Sequence, residues 1–189
     1  MTHGMTHSIV TTGPLSFACP RRLLFERLQV EKEEFQRLLE DGVVNPSSSC
    51  WTSLLHIVPK SMEGGWRPCG DYRFLIYATP ADRYPVLNIM DFHANLRCQT
   101  VFSKIKLVRA FHQIPMAKKV IPKTAIKTSF GLFGYPMMNF GLCNAAQTFQ
   151  RFMDQVVRGM GAVVVHLDDI LVASSSLQQH EIHLRQLFS

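Results

Sequence analysis

The run from Ala162 to Ala173, Ala-Val-Val-Val-His-Leu-Asp-Asp-Ile-Leu-Val-Ala, constrains this chain more than any other stretch. Two apolar, β-branched arms flank a centre that holds two adjacent carboxylates, Asp168 and Asp169. The pattern predicts a β-hairpin, buried along both arms, that raises the two acids at its turn. Desolvating a carboxylate is costly unless it is paired or holds a cation, so acids at such a junction need a reason to be there. Paired acids at a strand turn suit magnesium-assisted phosphoryl chemistry. An ordinary solvated Asp-Asp turn is the competing explanation.

The remaining 177 residues of a 189-residue chain suffice for one core, or for one domain with a lobe. With 47% apolar and 18% charged residues the composition is that of a globular protein and excludes a disordered one. No apolar run is as long as a membrane span, and the first residues lack a signal-peptide pattern. The expectation is an intracellular protein of cytoplasm or nucleus with no membrane partner. Its five cysteines are odd in number and scattered, with no C-x-x-C pair, which points to reduced thiols and against a disulfide framework or zinc ribbon. The net charge of +6 is unevenly spread. Between Asp91 and Asp154 there is no acid, while Arg97, Lys104, Lys106, Arg109, Lys118, Lys119, Lys123, Lys127 and Arg151 fall there. An acid-free basic stretch suits a surface that meets a polyanion, nucleic acid first.

Residues 1–23 read as an extended, poorly patterned N-terminal arm. Helical spacing follows from about Leu24 to Asp41, with Leu28, Phe35, Leu38 and Leu39 on one face, Glu31 to Glu34 solvated and Gly42 as the stop. Thr52 to Lys60 and Trp66 to Arg73 read as strands around the Glu63-Gly64-Gly65 turn, a hairpin with a basic tip. A short helix bearing Ile89, Phe92 and Leu96, a strand over 101–107 and a short helix over 108–113 come next. A strand pair around Gly131 precedes a helix over 145–158, whose Phe149, Phe152, Met153 and Val156 face the core. After the acidic hairpin comes a last helix with Leu177, Leu184 and Phe188. Strands and helices mix without regular βαβ alternation, which favours an α+β fold with an antiparallel sheet. His180 and His183, three apart, have a chelating spacing but no third ligand nearby, so a solvated helix face is expected. Phe130, Phe133, Tyr135 and Phe140 are spaced for core packing more than for stacking on bases.

Several motifs stand in one order: Ser47-Ser48-Ser49 before Trp51, His56 to Lys60, Gly65 to Arg73 and Asp82 to Pro85. Phe102-Ser103-Lys104, His112 to Met116, Pro122 to Ala125, Phe140 to Gln150 and Leu167 to Leu171 complete it. Together they resemble the reverse transcriptase of gypsy-type long-terminal-repeat retrotransposons, from about Ile9 to Phe188. The resemblance implies an α+β right-hand polymerase fold over 24–189, with fingers at about 24–100 and 115–140. The palm, with an antiparallel sheet, would take about 101–114 and 141–189. It implies that Asp168 and Asp169 are catalytic and hold Mg²⁺ (or Mn²⁺), and that Lys60 reaches the triphosphate of a dNTP while Arg67 packs on the nucleotide. Phe111 would block a ribose 2′-hydroxyl, Phe140 and Gly141 would line the nucleotide and template pocket, and Asp71, Arg73 and Gln113 would join them in binding substrate. An RNA or DNA template-primer is the implied partner.

The departures from that pattern point to lost activity. Lys106 stands where the pattern carries the third catalytic aspartate. Replacing −1 by +1 there is a change of two charge units, and each is worth about 4 kcal/mol at 4 Å and an effective dielectric near 20. No acid between residues 92 and 153 can substitute, and Lys106 is expected to pair with Asp168 or Asp169. His166 for tyrosine, Ile76 for asparagine, Ala110 for glycine and Asn139 for proline are further departures. With the chain ending at Ser189, thumb, ribonuclease H and integrase domains are expected to be absent. The reading is a degenerate, catalytically inactive reverse-transcriptase domain. Its alternatives are a residually active polymerase in a larger assembly and a non-catalytic nucleic-acid-binding module.

Overall fold

The computed structural model describes residues 4–13, 25–59, 66–86 and 96–189. Their order is α1 (Phe25–Glu40), β1 (Asn45–Pro46), β2 (Ser53–Pro59), β3 (Trp66–Asp71), α2 (Arg73–Tyr77) and β4 (Val101–Lys106). Then come β5 (Ile126–Lys127), β6 (Leu132–Gly134), α3 (Ala145–Val156), β7 (Val163–His166), β8 (Asp169–Ser174) and α4 (Leu177–Leu187). The chain divides into two compact units, residues 1–81 with 111–145 and residues 82–110 with 146–189.

The first unit holds a five-stranded sheet in the order β1-β6-β5-β2-β3. β2 and β3 are antiparallel with Leu54 opposite Asp71 and Pro59 opposite Trp66, the hairpin read from the sequence. β2 also runs parallel to β5, so this sheet is mixed. Its core gathers Phe35, Val44, Tyr72, Leu75, Ile114, Ile126 and Met138. Phe35 meets Phe133 with ring centroids 5.0 Å apart and Phe130 at 5.9 Å. Phe133 and Tyr135 are buried as expected, whereas Phe130 and Phe140, expected in the core, stand exposed at its edge. Glu31, expected in solvent, is instead 2% exposed. It shares the buried stripe of α1 with Leu28, Phe35 and Leu38, at i, i+3, i+7 and i+10, and burial lifts its carboxyl to about 7.

Residues 4–13, the described part of the N-terminal segment, are strapped down. His7 N donates to Pro115 O at 2.9 Å and Ala117 N donates to His7 O at 2.9 Å. Lys123 Nζ donates to Ile9 O and to Thr11 Oγ1 at 2.8 and 3.0 Å. His7 and Ile9 are thereby 1% and 2% exposed, and burial lowers the His7 imidazole to about 4. Three elements escaped the sequence reading, the two-residue β1 among them. α2 begins at Arg73, where the strand was read to end, and runs on to Tyr77, and residues 118–124 form a 3-10 helix despite Pro122. The turn at 62–65 and the helix at 89–96 fall largely outside the described residues.

The second unit is built on a three-stranded antiparallel sheet in the order β4-β8-β7. Alternation along β7 and β8 buries Val163, Val165, Ile170 and Val172, as a half-buried sheet requires. α3 delivers Phe149 and Met153 to the core, but Val156, its last residue, is 45% exposed. α4 lies on β8 and β4. Leu177 and Phe188, expected inside, are 76% and 72% exposed. The face that docks carries His180 instead, 6% exposed. Ser174 Oγ is hydrogen-bonded to Nδ1 of both His180 and His183 at 2.9 and 2.8 Å, and Ser103 Oγ to His180 Nε2 at 2.7 Å. The solvated-face expectation is therefore corrected: serines on the sheet satisfy these imidazoles, so burial costs them no hydrogen bond.

Candidate active site

The hairpin forms where the sequence places it. β7 and β8 pair antiparallel with His166 opposite Asp169, leaving a two-residue turn of Leu167 and Asp168. Asp168 thus sits in the turn and Asp169 opens β8. Leu167 has φ of +52°, a left-handed conformation that costs a side-chain-bearing residue roughly 1–2 kcal/mol and must be compensated by its neighbours. β4 lies along the other edge of β8, with Lys106 opposite Asp169 and Leu107 N donating to Asp168 O at 2.8 Å. The three positions singled out in the sequence, Lys106, Asp168 and Asp169, therefore meet at one end of one sheet.

Their pairing differs from expectation. Lys104, not Lys106, forms the ion pair, with Nζ 3.1 Å from Asp169 Oδ2. Antiparallel register explains it: Lys104 and Lys106 alternate with half-buried Ile105 onto the same sheet face as Asp169, and the long side chain of Lys104, opposite Leu171, reaches diagonally two residues along β8 to Asp169. Lys106 is exposed and takes no part in that pair. Asp169 Oδ1 is buried with no hydrogen-bond partner among the described residues. One such oxygen does not complete a cation site. No cluster of three or more His, Cys, Asp or Glu among the described residues is arranged around a metal ion. Two carboxylates, one already neutralised by Lys104 and facing Lys106, do not fit a pair of divalent cations.

Behind the turn, α3 supplies a hydrogen-bond chain that the sequence reading missed. Gln150, 0% exposed, donates through Nε2 to Asp154 Oδ1 at 2.9 Å and to Val165 O at 3.2 Å. Its Oε1 accepts from Leu167 N at 3.4 Å. Tyr84 Oη donates to Asp154 Oδ2 at 2.6 Å, and Asp154 pushes the Tyr84 phenol up. Arg151 bonds Asp82 at 2.8 Å and lies 4.4 Å over the Tyr84 ring, and its guanidinium holds the Asp82 carboxyl low. The only legible trace was the i, i+4 spacing of Gln150 and Asp154.

In the first unit the expected substrate-binding residues form two groups. Arg73 clasps Asp71 through Nε and Nη2 at 2.8 and 2.6 Å, and His56 Nε2 adds a contact at 3.2 Å. This bidentate pair holds the Asp71 carboxyl far below the usual range, chiefly through Arg73, and raises the Arg73 guanidinium in turn. Phe111, buried, and Phe140, half exposed, place their rings 4.7 Å apart. Gly141, at φ +82°, lies where a Cβ would sit 3.5 Å from Gly70 O, so it abuts the end of β3. Gln113 is exposed. Lys60 and the side chain of Arg67 lie outside the described residues.

Comparison with known proteins places this arrangement. Residues 58–189 match the family described as reverse transcriptase (RNA-dependent DNA polymerase). The chain is 34% identical to the retrovirus-related Pol polyprotein from transposon 297 of Drosophila melanogaster, over 100% of this chain and 18% of that protein. It is 32% identical to the corresponding polyprotein from transposon gypsy of the same species, over 80% of this chain and 15% of that protein. The chain thus spans less than a fifth of these relatives. Among solved structures, the foamy viral protease-reverse transcriptase in complex with RNA/DNA hybrid superposes with a TM-score of 0.87. That match has 21% identity and covers 97% of this chain and 25% of that one. The fold is therefore the right-hand polymerase fold of fingers and palm.

Proposed function

Because the chain belongs to the reverse transcriptase (RNA-dependent DNA polymerase) family, we propose that it is a retrotransposon polymerase domain of the gypsy type whose phosphoryl-transfer site is silent. The observation that carries this reading is the register of Lys106 opposite Asp169 at the end of the palm sheet. Two-metal phosphoryl transfer needs carboxylates around both ions, and here a lysine takes the register position opposite Asp169 while Lys104 pairs with Asp169. The chain keeps what positions a polymer. Its basic stretch suits the backbone of an RNA or DNA template-primer, and Phe111 packed on Phe140 offers an aromatic surface for a nucleotide. Lys60, Arg67, Asp71, Arg73, Gln113 and Gly141 are the remaining positions assigned to dNTP and template. The Mg²⁺ or Mn²⁺ of an active polymerase would fall to Asp168 and Asp169, a donor set incomplete in this chain. A binding module that grips nucleic acid without chemistry is the second reading, favoured by the exposed Lys106 on the same face.

Primer extension on poly-A with an oligo-dT primer, in Mg²⁺ and in Mn²⁺, tests the proposal. The chain as it stands is expected to extend nothing. Lys106→Asp is expected to extend, with a gain of at least about a hundredfold over background, equivalent to some 3 kcal/mol of transition-state stabilisation. Extension by the unsubstituted chain overturns the reading.

A further inference from the structure

Resting on the reading of the Asp168–Asp169 turn as a polymerase site, we propose that Gln150 is the positioning residue of that turn, and that Asp154 sets its orientation. A glutamine amide can face its surroundings two ways round, and partners decide which. At Gln150 the choice is forced. Asp154 Oδ1 and Val165 O are both acceptors, so both must meet Nε2, whose two hydrogens serve one each. Oε1 is then turned toward Leu167 N. The amide therefore bridges Val165, the penultimate residue of β7, to Leu167, the first residue of the tight turn, immediately before Asp168.

Leu167 needs such a hold because it is a side-chain-bearing residue at φ +52°, with a neighbour whose carboxylate direction depends on that dihedral. Asp154 is itself held at its other oxygen by Tyr84 Oη, so neither group is free to rotate. The chain Tyr84, Asp154, Gln150, Leu167 connects the 82–84 segment to the acidic turn within one unit, half-buried at its ends and buried at Gln150. A connected network anchored on the buried Gln150 amide specifies one arrangement, because breaking a link at Gln150 leaves its buried polar atoms unmatched. Gln150 touches neither acid, and its effect on them runs through Leu167.

Exchanging donor and acceptor tests the proposal. Gln150→Glu presents a carboxylate to Asp154 and Val165 O, while adding Asp154→Asn restores a donor toward residue 150 and leaves Tyr84 its acceptor. In the otherwise native chain, Gln150→Glu is expected to speed hydrogen exchange at the Leu167 amide about tenfold, the worth of roughly one hydrogen bond. The double variant is expected to recover to within about threefold, while amides of Val164 and Leu171 change less than about twofold. A role in packing alone would loosen all these amides together and give no rescue, and either result overturns the proposal. So does an unchanged Leu167 amide. Should Gln150→Glu not fold, the native chain decides: slow exchange of the Gln150 side-chain NH₂ with cross-relaxation to the Leu167 amide supports the bridge, and rapid exchange overturns it. In the Lys106→Asp background the same swap is expected to lower kcat about tenfold with KM for dNTP nearly unchanged, and to recover in the double variant. Absence of extension by Lys106→Asp itself counts against the proposed function, while the exchange data still decide the role of Gln150.

Discussion

Glu31 shows how a single residue can answer to tertiary structure against its own chemistry. In the helix it occupies a core position, and burial without a partner at Oε2 raises its carboxyl to about 7. An acid whose folded pKa exceeds its unfolded value favours the folded state below the unfolded pKa, and that contribution is lost as pH rises through the folded one. Stability should therefore fall between about pH 4.5 and 7.5 on account of Glu31. Glu31→Gln is expected to remove this slope and to stabilise the chain at pH 8 by on the order of 2 kcal/mol, read from urea melts at several pH values. His7 acts at the other end: its lowered pKa of about 4 means its contribution is present above about 6.5 and lost as pH falls through 4. Melts of Glu31→Gln that keep the full pH slope would assign it elsewhere.

At the scale of elements, α4 overturns the simple amphipathic reading. Its docking face is polar and satisfied, with His180 and His183 on Ser103 and Ser174, while the leucine and phenylalanine at its ends stand in solvent. The helix is held at its start by Ser176, whose hydroxyl accepts from Gln179 N at 3.3 Å. Ser176→Ala is expected to cost about 1 kcal/mol, the usual worth of such a cap. Leu177→Ser and Phe188→Ser should each fall within about 0.5 kcal/mol of the parent. Thermal melts of the three variants check the ordering, which would be reversed were the apolar ends buried. α3 behaves as its pattern says at Phe149 and Met153, and it carries in Gln150 a buried polar position that the pattern does not distinguish from solvent.

For the whole molecule the relevant quantities are its net charge of +6 and the acid-free interval from residue 92 to 153. Such a charge governs association with polyanions more than it governs fold. Binding of an RNA/DNA hybrid is expected to persist in EDTA, because phosphate contacts by lysine and arginine release counterions and need no metal. It should weaken by at least about tenfold between roughly 50 and 200 mM salt, measured by fluorescence anisotropy. Binding that disappears on chelation, or ignores salt, would contradict that account. No helix among the described residues is long and apolar enough to cross a membrane.

The sequence by itself determined the acidic hairpin, the β2–β3 hairpin, α1 and α3, because local periodicity is set by which side chains share a face along one element. It also placed Lys106 beside Asp168 and Asp169, since the motif order carried the register with it. Only the tertiary structure decided that Lys104 neutralises Asp169, that Glu31 and His180 are buried, that residues 7–12 are strapped to Pro115, Lys123 and Ala78, and that Gln150 holds Leu167. Each of these depends on what lies across from a residue. Periodicity says which way a side chain points, and it is silent on the donor or acceptor waiting there.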